Sequence, residues 1–71
     1  MTELTHYNPG MLTDIQVEEI SIRHALAFQS TRMKLASMLK IDSGDPKYKR
    51  GLDKQAAIAV LVSLNLARNN A

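Results

Sequence analysis

The sequence predicts an all-α fold: an antiparallel helical hairpin of two long helices, assembling into a four-helix-bundle dimer or a higher oligomer. Three observations predict it. Helix-start signals stand at Thr13 and at Asp45 followed by Pro46, and between them no glycine or proline appears from Met11 to Ser43. The run Asp42, Ser43, Gly44, Asp45 is a turn cluster between the two periodic stretches. Apolar residues recur at helical spacing and cover more surface than one hairpin can bury.

The elements follow in order. Residues 1–13 read as an extended N-terminal segment, with Asn8, Pro9 and Gly10 as a turn-like cluster. Thr13 is a capping residue, Gln16 stands three positions later to reach back, and Leu12 with Val17 forms a hydrophobic staple. Helix one is expected from about 14 to about 41, with Asp14, Glu18 and Glu19 suiting the positive end of its dipole. Such a helix of about 28 residues would be on the order of 42 Å long. The turn takes 42–45, with Gly44 available for a left-handed conformation. Asp45 as cap and Pro46 as first helical residue open helix two, expected over about 46–69, where Gly51 is a weak point of about 1 kcal/mol against alanine. A connection this short makes the helices antiparallel.

Self-association follows from size and surface. A chain of 71 residues builds a core contributing only about 3–5 kcal/mol unless something staples it. It has no cysteine, so disulfides and thiolate metal sites are excluded. On a helical wheel, helix one carries two apolar arcs on roughly opposite sides. One holds Ile15, Ile22, Leu26, Met33 and Ala36; the other holds Val17, Ile20, Phe28, Leu35, Met38 and Leu39. A partner helix covers one arc, and the other needs a second copy; the alternatives are that it docks onto a different protein, or that shorter helices bend over one another so that one core absorbs both arcs. Helix two is apolar nearly all round from Ala56 to Ala67, as in the middle of a bundle. The expected oligomer interface is Val17, Ile20, Phe28, Leu35, Met38, Leu39, Val62 and Leu66.

Catalysis needs a positioned nucleophile or acid–base pair, and no such constellation is legible, so a non-enzymatic protein is expected. No metal or cofactor is expected: with only His6 and His24 a zinc site would have to recruit carboxylates or a second chain, and His24 falls in an apolar arc. Ala56 to Ala67 is too short for a membrane span, and the first residues do not resemble a leader, so a cytoplasmic location is expected. Acidic Glu3, Asp14, Glu18 and Glu19 lie near one end of the hairpin, and Lys34, Lys40, Lys47, Lys49, Arg50 and Lys54 gather about the turn. That basic end, with the helix N-terminus, suits an anion or an acidic protein surface, and equally serves solubility. Tyr48 is placed either to stack on a base or to begin the core of helix two. The candidate ligand-binding residues are therefore Lys47, Tyr48, Lys49 and Arg50, with Arg23 and Tyr7 as a second anion-binding pair.

Tyr7 ahead of Leu12 and Thr13, the run Ile20, Ile22, Arg23, and the entry Asp45, Pro46, Lys47, Tyr48 resemble the helical-hairpin sponges that phages use against cyclic oligonucleotide immune signals, the anti-CBASS sponge family. The resemblance implies an oligomer whose tyrosine and first-helix basic residue touch ligand, positions that map onto Tyr7 and Arg23. The leading expectation is a small oligomeric binding protein, of phage type and then acting in the host cytoplasm, that binds and modulates a host protein. The alternatives are a cyclic oligonucleotide sponge and a nucleic-acid-binding regulator using the basic turn.

Overall fold

The computed structural model describes the backbone of residues 9–69 and the side chains of residues 10–64. Among them all regular structure is helical: a 3-10 turn Pro9–Met11, then α1 (Asp14–Arg23), α2 (Ala25–Leu39) and α3 (Pro46–Asn69). Tyr7 lies outside the described residues, as do the side chains of Leu66 and its neighbours.

The start of α1 is built by the capping box. The Gln16 N–H donates to Thr13 Oγ1 at 3.1 Å and the Thr13 N–H donates to Gln16 Oε1 at 3.0 Å, which satisfies two of the helix's orphan donors. Helix one does not run on to 41. His24, at φ −124° and ψ 49°, leaves the helical region and serves as C-cap of α1 and N-cap of α2. Its N–H still reaches the Ile20 carbonyl and its carbonyl accepts from Phe28, so the chain bends within one residue. One turn earlier the Ser21 hydroxyl donates to the Glu18 carbonyl at 2.7 Å, the back-bonding that bends helices. The bend lets Val17 and Ile20 of α1 and Phe28 of α2 join Ala56, Ala57, Val60 and Leu61 of α3 in one core, with Leu12 closing it. That packing outweighs the propensity for an unbroken helix. The longest dimension is 34 Å, shorter than the roughly 42 Å of an unbroken helix of about 28 residues.

The α2 stop differs from expectation in the same physical terms. Lys40, not Gly44, takes the left-handed conformation, at φ 56°. The Ile41 N–H reaches the Ala36 carbonyl and the Lys40 N–H reaches that of Ser37, the paired bonds of a Schellman motif. Gly44 instead donates its N–H to Asp42 Oδ1 at 2.9 Å, a turn closed by the aspartate side chain. Asp45 Oδ1 then accepts the Lys47 N–H at 2.9 Å and caps α3 behind Pro46.

Helix α3 is the central element: α1, α2 and the 3-10 turn all pack on it. Ala56 and Ala57 are fully buried and let the neighbours approach closely. The arcs of the first helical stretch are consequently regrouped: Ala36 of the first arc is buried, and Met38 and Leu39 of the second stay exposed, as does Val62 of α3 in part. Val17, Ile20 and Phe28, expected at an oligomer interface, are inside the chain's own core, and Leu35 packs against it. Ile15, Ile22, Leu26 and Met33 face outward, 64–91 % exposed.

Candidate functional site

The bend at His24 has an electrostatic consequence. It folds the acidic start of α1 over the basic start of α3, so the two charge clusters meet instead of standing at opposite ends of a hairpin. Arg50 Nη2 lies 3.0 Å from Asp14 Oδ2 across this junction. The charge separation expected of a straight hairpin is thus not kept at this junction, where Asp14 and Glu18 face Lys49, Arg50 and Lys54.

Between α1 and α3 lies a cleft of about 500 Å³. Asp14, Glu18 and Ser21 form its α1 wall; Lys49, Arg50 and Lys54 form its α3 wall, with Asp53 among them. Buried Val17 and Phe28 supply an apolar floor.

Arg32, which the sequence reading passed over, anchors the α3 wall. Its Nε donates to Asp53 Oδ1 at 2.6 Å and its Nη2 to the Ser43 carbonyl at 2.8 Å, tying α2 to the turn and to α3. Lys49 Nζ holds the other Asp53 oxygen at 2.8 Å, one helical turn away. Burial by itself raises the Asp53 carboxyl, but the hydrogen bonds and charges of Lys49 and Arg32 outweigh it and hold the group below its ordinary value. The only sequence signal for this clamp is weak. Arg32 lies on α2 one turn beyond buried Phe28, on the side that faces α3.

A second, more apolar groove of about 280 Å³ runs between the end of α2 and the first turns of α3, lined by Leu39, Ile41, Tyr48, Gly51 and Leu52 among others. Tyr48 lines this groove half-buried, and the Lys47 ammonium stands 5.5 Å from its ring centroid. The four basic-turn candidates thus separate: Lys49 and Arg50 line the mixed-charge cleft, Tyr48 lines the apolar groove, and Lys47 lines neither but stands beside the Tyr48 ring; Lys54 borders both depressions. Arg23 is exposed at the end of α1 and does not line either depression.

No protein family, curated protein or solved structure matches this chain.

The remaining surface carries several large apolar side chains. Met11, Ile15, Ile22, Leu26, Met33, Met38 and Leu39 are all more than 60 % exposed, and Val62 is 43 % exposed. Ile15 and Ile22 lie two turns apart on α1, and Leu26 and Met33 two turns apart on α2, so each pair shares a helix face. Among the described residues no group of three His, Cys, Asp or Glu is placed to hold a metal ion, and no helix is long and apolar enough to cross a membrane.

Proposed function

We infer that this chain works by binding and not by catalysis: it self-associates through the outward faces of α1 and α2 and offers its remaining surface to a protein partner. One observation carries the reading. Ile15, Ile22, Leu26 and Met33 are 73, 70, 91 and 64 % exposed on a chain with a small core of its own. Ile15 and Ile22 occupy one helix face and Leu26 and Met33 another, and exposed apolar faces on a soluble chain mark interaction sites. A second copy presents the same face, and a two-fold contact buries each residue twice, which suits an isologous interface. The cleft supports a macromolecular or neutral partner over a polyanion, because its carboxylates offset its cations.

Substituting Leu26 tests the reading. Burying a leucine contributes about 1.5–3 kcal/mol, and a two-fold dimer holds it twice. Leu26→Glu should therefore raise the dimer dissociation constant by more than about a hundredfold, while Met38→Glu should have a much smaller effect. Equal effects of the two changes, or none from either, would move the interface elsewhere. The same samples followed by thermal unfolding with cyclic di- and trinucleotides test the sponge alternative. A ligand at about 100 times its dissociation constant adds about 2.7 kcal/mol, and loss of that gain in Arg23→Ala would favour the sponge.

A further inference from the structure

We propose that the cleft between α1 and the first turns of α3 is a binding site for a small zwitterion with an apolar body, in size and charge pattern an apolar α-amino acid. The site is asymmetric in charge. Its α1 wall presents Asp14 and Glu18, one helical turn apart, and its α3 wall presents Lys49, Arg50 and Lys54. A ligand of a single sign is drawn to one wall and repelled by the other. A ligand carrying an ammonium and a carboxylate on one carbon satisfies both, and its side chain rests on Val17 and Phe28.

The charges are not all committed to one another. Asp53 is taken by Arg32 and Lys49, which fixes the back of the α3 wall. Among the described residues Glu18 and Lys54 make no side-chain hydrogen bond or ion pair, so one acid and one base are left to face a ligand from opposite walls. The Arg50–Asp14 pair across the junction is 85 and 73 % exposed, the kind of surface pair that contributes little and exchanges readily for a ligand. The volume of about 500 Å³ lies within the range of small-molecule sites.

An amide NMR titration of the full chain tests this with L-phenylalanine, N-acetyl-L-phenylalanine and phenylethylamine, the last two each lacking one charge. The expected result is saturable shifts within 14–21 and 46–54 for L-phenylalanine, with each single-charge compound at least about tenfold weaker. Glu18→Gln should weaken L-phenylalanine and leave N-acetyl-L-phenylalanine unchanged; Lys54→Gln should weaken L-phenylalanine and leave phenylethylamine unchanged. No saturable shift at tens of millimolar, equal affinity for all three compounds, or indifference to both substitutions would overturn the assignment.

Discussion

Replacing Arg32 by methionine keeps most of the apolar stem and removes the guanidinium that joins α2, the turn and α3. Two hydrogen bonds disappear, to Asp53 Oδ1 at 2.6 Å and to the Ser43 carbonyl at 2.8 Å. The paired side chains are 15 and 19 % exposed, between the two well-measured limits. Exposed pairs contribute about 0–1 kcal/mol and breaking a buried one costs about 3–5 kcal/mol. Asp53 keeps Lys49 as a partner, which moderates the loss. A cost of about 2–3 kcal/mol follows from those limits. In a domain of this size that lowers the Tm by roughly 8–24 °C. Thermal unfolding followed by circular dichroism, at one protein concentration and neutral pH, measures it. A drop below about 3 °C would show that the clamp adds nothing to α2–α3 packing, and the reasoning from its burial would be wrong.

Asp53 makes that stability depend on acid. Its folded-state carboxyl lies below the ordinary value, so the stabilisation is complete above about pH 3.9 and is lost as the pH falls through the folded value. Asp53→Asn should be less stable at neutral pH and unfold over a shallower acid limb; an unchanged limb would remove Asp53 from the account. Gly51→Ala should raise stability by about 0.4–1 kcal/mol, because the added methyl meets no atom within 4 Å and the backbone there is ordinary helix. A loss of stability in chemical denaturation would contradict that open site. Lys40→Gly should stabilise by about 0.5–1 kcal/mol, since Lys40 holds a left-handed conformation that glycine adopts freely; a destabilised variant would refute the Schellman stop.

The helix starts are legible in the residues because they depend on local chemistry. Thr13 with Gln16, and Asp45 with Pro46, act within one turn, and their hydrogen bonds are those the pattern implies. The break at His24 is not legible in the same way. No glycine or proline marks it, Ser21 is a weak signal, and the decisive term is the burial of Val17 and Ile20 against Ala56, Ala57, Val60 and Leu61, all more than 30 positions away. The bend has three consequences that an unbroken helix does not give: Val17, Ile20 and Phe28 go inside while Met38 and Leu39 stay exposed, the acidic and basic ends meet, and a cleft lies between them. Arg32 escaped for a related reason, since its partners Ser43 and Asp53 are 11 and 21 positions away. Gly44 was the natural choice for the left-handed stop, but the Asp42 side chain closes that turn without it.

The claim on which the functional reading depends is that two copies cover the outward faces of α1 and α2. Light scattering on the purified chain across a range of concentrations addresses it most directly. The account predicts a mass of at least twice the 7.9 kDa of one chain, falling toward a single chain in Leu26→Glu while helicity is retained. A wild-type mass of one chain at every concentration would contradict it.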